Sequence, residues 1–316
     1  MTRKEQLQRL HQKSPRTLIE AMVSLILFFA FVPLTLWTWQ AGYWPLTIVL
    51  WLIQGHVGHA NLLAFHEASH FVLHPRRWVN ELYGVGMGSL IMTPISAYRY
   101  VHNQHHVHLG TQSDTELWPY VDCSTSRPLR WMLAFGELLL GFFVTPLVFV
   151  RGVLTAERLP PNVAKRLQWE YALVVLLWAG IITTVVAFNI ETWFVLGYLI
   201  PSMIAGNLQS LRKFTEHMGL LGHDVPTTTR TVIDPSLFGR LLSDSMLHID
   251  LHGPHHLQSK IPHFALRQAT PLIYGEATQD PLHGNIYRSY LGAIGHMLLT
   301  LRNPRVGQQW QQTPAG

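Results

Sequence analysis

The sequence of 316 residues is poor in cysteine, and this shortage limits the chemistry open to it. A single cysteine, Cys123, excludes an intrachain disulfide, a CxxC redox pair, a thiolate zinc site and a protein-bound iron–sulfur cluster, because each needs at least two thiols. Any metal must therefore be bound through nitrogen or oxygen. Nineteen histidines, nearly as many as the 23 lysines and arginines together, supply the nitrogen.

Charged residues are also scarce, at 13% of the chain against 48% hydrophobic residues, which is unusual for a soluble protein. Four apolar runs approach or exceed the roughly 18 to 20 residues needed to cross a bilayer. They lie at 18–39, 43–65, 171–188 and 193–211 and form two hairpins with short turns. The first run is too long for a signal-peptide core and no small-residue cleavage site follows it, so we interpret it as a retained anchor.

Two further apolar runs, 82–98 and 132–150, are shorter or interrupted by glycine and proline. If only the four long runs span, all 23 lysines and arginines fall on one side, as the positive-inside rule predicts for the cytoplasm. A crossing by 132–150 would place the histidine-rich segments before and after it on opposite faces. We therefore expect both runs to be interfacial or re-entrant. The chain is then one domain, 1–316, with a cytoplasmic cap from 66–170 and 212–316.

The formal charge of +5 does not indicate nucleic-acid binding, because the basic residues form no stripe with interleaved aromatics and instead flank the apolar runs. The histidines do form a pattern, in three clusters that read HEASH, HNQHH and HGPHH. Each cluster has imidazoles spaced i, i+3 or i+4, which converge on one face of a helix. The pattern indicates a metal site built from His66, His70, His102, His105, His106, His252, His255 and His256.

A ninth candidate, His217, follows the fourth apolar run and lies on the same predicted side. Nine imidazoles are about twice the four ligands of a tetrahedral zinc site, so they suit two metals. Imidazole accepts zinc, copper, iron or nickel, and the spacing does not choose among them.

Read alone, HEASH is also the H-E-x-x-H signature of a zinc metalloprotease, with His66 and His70 as ligands and Glu67 as general base. This alternative leaves seven clustered histidines without a role and requires a third ligand, for which the sequence offers no convincing aspartate. A metal transporter is the third class. Transport sites lie between polar half-helices at mid-membrane, whereas these clusters lie at the ends of the runs.

Other polar residues near the clusters have less specific signals. His56 and His59 lie on the helical stripe of His66, deeper in the membrane, where a channel role and core packing are equally expected. His108 and His248 flank the clusters. Candidates to orient ligand imidazoles through the free ring N–H are Asp114, Glu116, Asp244 and Asp250.

As a set, the clusters resemble the histidine boxes of the membrane fatty acid desaturase and hydroxylase superfamily. HNQHHVHLGTQSDTE is similar to the second box with its trailing acidic residue, and HGPHHLQSKIPHFAL is similar to the third. The resemblance extends over about 18–275. It implies an all-α integral membrane fold with four transmembrane helices in two hairpins, interfacial helices, and a cytoplasmic helical cap holding two irons (Fe2+/Fe3+). It assigns the eight box histidines and His217 as the iron ligands.

One departure bears on the substrate. Acyl-CoA desaturases of this superfamily have an asparagine four residues before the extra histidine, where this chain has Lys213. The pattern of Arg212, Glu216 and His217 instead resembles bacterial members that act on free lipids, carotenoids or other hydrocarbons. A bacterial inner membrane, with both termini and the metal site cytoplasmic, is the location this implies.

The resemblance implies an O2-dependent enzyme that desaturates or hydroxylates a fatty acid or fatty acyl chain drawn from the membrane. Oxidative decarboxylation of free fatty acids to 1-alkenes and carotenoid oxygenation remain alternatives, since the fate of the oxidised chain depends on how it is held. Because the chain has no convincing dinucleotide fold, no cluster cysteines and no appended haem domain, electrons must come from a separate donor. Ferredoxin or rubredoxin with its reductase is expected, docking on the basic face.

Overall fold

The computed structural model describes residues 2–275 and 285–311, and within them the protein is mostly helical. The predicted domain therefore includes residue 1 and segments 276–284 and 312–316, which lie outside the described residues. The long helices are α2 (Arg16–Gln40), α3 (Trp44–Ser69), α6 (Arg127–Leu154), α7 (Pro161–Ala187) and α9 (Ile200–His217). Helix α9 continues directly from α8 (Glu191–Phe194) through a π-helical turn, Val195–Leu199.

Shorter helices form the rest of the helical structure. They are α1 (Arg3–Leu10), α4 (Arg77–Leu90), α5 (Ile95–His108), α10 (Val225–Thr228), α11 (Leu237–Ser245), α12 (His252–Leu257), α13 (His263–Tyr274) and α14 (Tyr290–Thr300), with a final 3-10 turn at Gln308–Gln311. Two-residue strands β1 (Thr231–Val232) and β2 (Ile286–Tyr287) pair in parallel, with Thr231 opposite Ile286. The all-α membrane architecture expected from the sequence is confirmed.

Five helical segments are long and apolar enough to cross a membrane: α2, α3, α6, α7 and the continuous run Glu191–His217. Four of them contain the four apolar runs predicted to span. The fifth, α6, contains the 132–150 run, for which an interfacial or re-entrant position was expected. The surface of these helices suits a lipid environment, because large apolar side chains are exposed on it. Ile26, for example, is 67% exposed and Leu176 is 70% exposed.

Small residues allow α3, α6 and α9 to pack closely, as is typical of helices in lipid. Gly58 of α3 contacts Ala205 of α9, and a Cβ atom at Gly58 would lie 3.2 Å from it. Gly141 of α6 lies directly on Gly206 of α9, where a Cβ atom would come within 2.4 Å of the Gly206 carbonyl oxygen. These contacts hold α6 against the helix that carries His217.

Helix α6 is kinked at Leu140, whose φ of −130° and ψ of 32° are non-helical. The side-chain oxygen of Asn207 accepts the adjacent Gly141 N–H at 2.9 Å, which satisfies a backbone group at the kink. Near one end of α6, Arg130 donates to the carbonyls of Thr125 and Pro304. Near the other end, Arg151 stacks over Trp118 at 3.7 Å.

Candidate metal centre

The structure brings all nine predicted ligand histidines together in two adjacent groups. In each group one ring nitrogen per residue lies within 4.8 Å of the others. The first group is His66, His70, His102, His106 and His255, and the second is His105, His217, His252 and His256.

Helical spacing explains how the ligands are divided. On α5, His102 and His106 are four residues apart and point to the first group, whereas the intervening His105 points to the second. On α12 the division is mirrored, since His252 and His256 serve the second group and His255 the first. Each of these helices therefore crosses between the two groups. Helix α3 supplies His66, the residue that caps its C-terminal end is His70, and α9 supplies His217.

The ring nitrogens converge as metal ligands do. His102 Nε2 is 3.1 Å from His70 Nε2 and 3.2 Å from His106 Nε2. His252 Nε2 is likewise 2.9 Å from His217 Nε2 and 3.0 Å from His256 Nε2. Three imidazole nitrogens that meet at one point cannot all be satisfied by sharing N–H groups, whereas a cation at that point accepts every lone pair.

Buried ring nitrogens without hydrogen-bond partners also indicate a metal site. Neither ring nitrogen of His66 or of His255 has a hydrogen-bond partner, and these residues are only 1% and 0% exposed. An unpaired buried polar group lowers the stability of a fold by about 1 to 3 kcal/mol, so these unpaired ring nitrogens require an explanation. A metal ion in the first group would bind one nitrogen of each ring and so provide it.

Carboxylates and a backbone carbonyl orient several imidazoles so that Nε2 faces the centre. Glu116 accepts from His102 Nδ1 at 2.8 Å, and Asp114 accepts from His105 Nδ1 at 2.9 Å. These two residues occupy the orienting positions considered in the sequence. Such outer contacts fix the tautomer of a metal-binding histidine and raise its basicity.

Two further orienting contacts were not recognised in the sequence. His217 Nδ1 donates to the Thr228 carbonyl at 3.0 Å, and Glu216 Oε1 lies 3.3 Å from His252 Nδ1. Arg212 donates to both oxygens of Glu216, at 2.7 and 2.6 Å, and so fixes that carboxylate. The only sequence signal was the i, i+4 spacing of Arg212 and Glu216 beside His217.

Asp244 and Asp250, the other two acidic candidates, do not contact the ligands. Asp250 accepts from the Ser243 hydroxyl at 2.8 Å, and Asp244 pairs with Arg267 at 3.2 Å. His108 and His248 belong to neither histidine group. The position of His248 is set instead by Ser243, whose hydroxyl lies 3.1 Å from His248 Nδ1.

The electrostatics favour neutral, metal-binding imidazoles. Burial lowers the pKa of His106 to about 3, and burial together with the neighbouring rings holds the pKa values of His70 and His102 well below their usual range. His105 differs: burial lowers its pKa, but the carboxylates of Asp114 and Glu116 outweigh burial and raise it. The same negative charge favours a metal cation beside His105.

Comparison with known proteins identifies the family. The fatty acid desaturase family model matches residues 41–290, which is most of the chain. The protein belongs to the fatty acid desaturase family. This confirms the resemblance seen in the histidine boxes and makes the protein an oxidoreductase of the desaturase type.

Curated desaturases show the same relationship at low identity. A Delta(12) acyl-lipid conjugase (11E,13E-forming) of Impatiens balsamina is 25% identical over 272 residues, 78% of this chain and 68% of the relative. An sn-1 oleoyl-lipid 12-desaturase of Anabaena variabilis is 24% identical over 297 residues, 86% of this chain and 81% of the relative. An sn-1 acyl-lipid omega-3 desaturase (ferredoxin) of Nostoc is 20% identical over 265 residues, 78% and 74% of the two chains.

Family membership decides against the protease interpretation of H-E-x-x-H, and the position of Glu67 agrees with that decision. Glu67 is 3% exposed, and its Oε2 accepts the backbone N–H of His263 at 3.1 Å. That N–H is at the start of α13, where a carboxylate also interacts favourably with the helix dipole. In this desaturase, Glu67 anchors α13 to the end of α3.

Replacing Glu67 with glutamine is therefore expected to leave bound metal and lipid oxidation close to wild type, since the amide oxygen can still accept from His263. Glu67→Ala leaves the buried N–H unpaired and should lower the free energy of unfolding by about 1 to 3 kcal/mol. Metal analysis and thermal unfolding of both variants check this. Loss of all activity in Glu67→Gln with metal retained would show that the carboxylate takes part in the chemistry.

Proposed function

We propose that this desaturase-family protein carries out O2-dependent di-iron oxidation of a fatty acyl chain held in the membrane, by desaturation or hydroxylation. The observation that carries the proposal is the placement of the two histidine groups at the head of an apolar cavity. The first group would hold one iron and the second group the other, with Asp114, Glu116 and Glu216 orienting the ligands. When bound, the irons supply activation of O2, the oxidant for an unreactive C–H bond.

The cavity has the lining that an acyl chain requires. It begins beside the ligands, where Phe65 precedes His66 and the Tyr98 ring stacks on His102 with centroids 5.2 Å apart. It follows α9 and the preceding π-helical turn from Gln209 to Tyr198, a distance of about 16 Å at 1.5 Å per residue. This is close to half of the roughly 30 Å hydrocarbon core of a bilayer. Most of the lining residues are apolar, so the cavity suits a hydrocarbon tail.

The α2 side of the cavity supports entry of the acyl chain directly from the membrane. Phe29 lines the cavity and is 49% exposed on the lipid-facing surface of this helix. The names of the relatives also point to acyl chains carried on lipids. A membrane lipid is therefore the proposed substrate. Desaturation balances when O2 accepts two hydrogen atoms from the chain, two electrons and two protons to give two waters. Hydroxylation balances with the same two electrons and two protons when one oxygen atom enters the chain as a hydroxyl group and the other leaves as one water.

The kink in α6 supports four spans with α6 re-entrant. Its two ends contact cap residues on both sides of the bend: Arg130 contacts Thr125 and Pro304, and Arg151 contacts Trp118. A helix that returns to the side from which it entered explains both contacts. The histidine groups and all of the basic segments then share the cytoplasmic face, as expected of a bacterial inner-membrane protein.

The electron donor is proposed to be a separate ferredoxin or rubredoxin with its reductase. One cysteine is too few for a cluster within this chain. The printed name of the Nostoc relative includes ferredoxin, which supports a carrier of this kind.

The proposal is tested by metal analysis of the purified protein together with mass spectrometry of lipids after supply of O2 and a reduced ferredoxin. Two irons per chain and a new double bond or hydroxyl group are expected. A terminal alkene from added free fatty acid would instead establish decarboxylation, and an oxygenated carotenoid would establish carotenoid oxygenation. One zinc per chain with no O2-dependent lipid product would overturn the proposal.

A further inference from the structure

Two of the nine ligand rings lie nearest the protein surface. His106 is half-buried and His256 is 9% exposed, whereas each of the other seven is 3% exposed or less. These two rings stack on one another, with centroids 4.2 Å apart and planes at 23°. Because His106 belongs to the first group and His256 to the second, the stacked pair joins both metal positions to the outer surface.

Exposed apolar residues follow each of these ligands in the chain. Val107, directly after His106, is 73% exposed, and Leu257, directly after His256, is 41% exposed. Neighbouring exposed side chains on the same segment, Asn103 and Thr111–Ser113, are polar, so this surface faces water rather than lipid. Apolar side chains at the centre of a water-facing surface are typical of protein contacts.

The surface is also positively charged. The Lys260 ammonium donates to the His70 carbonyl at 3.2 Å, beside the first group. Lys260 is itself exposed, so its charge lies at the protein surface. Segments 103–113 and 257–260 contain no aspartate or glutamate that would offset this charge.

We infer that this surface, made by Asn103, Val107, Leu257 and Lys260, docks an acidic one-electron carrier protein, and that electrons enter through the stacked His106 and His256 rings. The inference rests on the proposed function. Electron tunnelling falls exponentially with distance, so a donor is most effective where ligands of both groups come closest to solvent. Redox partners use small interfaces, of roughly 1,200 Å² or less, and an apolar centre with a basic rim fits one.

The carrier protein supplies the two electrons of each turnover one at a time. Each reduced carrier gives up one electron and leaves oxidised, so two carriers dock in turn for each O2 consumed. Weak, salt-sensitive binding suits this exchange, because the oxidised carrier must leave before the next can bind.

The test compares charge changes on and off this surface, with a reduced [2Fe–2S] ferredoxin and its NADPH-dependent reductase as the probe. Lys260→Glu and Val107→Asp are expected to raise the KM for ferredoxin about tenfold or more, and to weaken ferredoxin binding to the detergent-solubilised protein by a similar factor. The wild-type KM should rise with ionic strength, and that dependence should flatten in Lys260→Glu. The matched control is Lys165→Glu, on α7, which supplies no ligand; its KM should be unchanged.

Val107 is highly exposed, so its variant keeps the test valid if Lys260→Glu fails to fold, and metal analysis shows which variants are intact. Equal KM and binding constants in wild type, Lys260→Glu and Val107→Asp would overturn the docking surface, as would an equal change in Lys165→Glu. Ferredoxin binding and oxidation that respond to these variants without any lipid product would leave the docking surface standing and refute the proposed function instead.

Discussion

His105→Ala is expected to abolish lipid oxidation and to remove metal from the second histidine group. His105 is one of four proposed ligands that the described residues bring together there, and the paired Asp114 carboxylate would lose its partner in a fully buried position. Loss of an orienting partner alone typically costs 10- to 100-fold in metal affinity or activity, so loss of the ligand should cost at least about 100-fold. Metal content per chain and product yield from reduced ferredoxin measure the effect.

His108→Ala is the matched control, because His108 lies three residues further on α5 and belongs to neither group. It should retain both metal and activity. A zinc protease that used only His66 and His70 would also survive His105→Ala, so the variant separates the two chemistries directly. Full activity in His105→Ala would contradict the two-metal arrangement.

The histidine boxes can be recognised in the sequence because helical spacing is a local property. Any helix that carries H-x-x-H-H turns its imidazoles toward a common side, so the convergence of these residues follows from their order in the chain. Which other residues complete each group does not. His106 is joined by ligands from α3 and α12, and His105 by ligands from α9 and α12, all far away in the sequence.

The contacts that orient the imidazoles can likewise be predicted only in part from the sequence. Asp114 and Glu116 follow their histidines closely in the chain and were identified as candidates, whereas Glu216 reaches His252 only because α9 and α12 meet in the folded cap. The Thr228 carbonyl that accepts from His217 has no sequence signal, because every residue has a carbonyl group. Such contacts depend on tertiary packing.

Hydropathy located the four predicted spans for a similar reason: a lipid environment requires a continuous apolar stretch. Hydropathy does not distinguish α6 from these four runs, because α6 satisfies the same length and composition criteria. The kink at Leu140 depends on Asn207 of α9, a residue far away in the sequence that accepts the Gly141 N–H. The charge distribution instead predicts a re-entrant α6, because it takes account of both ends of the helix.

Ser202→Phe is expected to change which acyl chains are oxidised, because Ser202 lines the cavity at the end away from the ligands. Ser202 is 8% exposed and lies fifteen residues before His217 in the same helical run, so a phenyl ring there shortens the cavity without touching the metal groups. Excluding two methylenes of a bound chain removes about 1.6 kcal/mol of burial energy, at about 0.8 kcal/mol per CH2. Since 1.4 kcal/mol is a factor of ten in affinity, the longer of two chains differing by two methylenes should lose more than about tenfold relative to the shorter.

Competition between two such chains in one assay, followed by mass spectrometry of the products, measures this ratio. Ser202→Ala is the control, since it removes the hydroxyl without filling the cavity, and it should keep the wild-type ratio. If Ser202→Phe lowers the oxidation of both chains equally, the ring acts on helix packing rather than on chain length. If it leaves both unchanged, the chain does not extend along α9, and its path must turn away from the cavity near Gln209. The ratio between chains therefore tests where the hydrocarbon lies, independently of how fast the metal centre works.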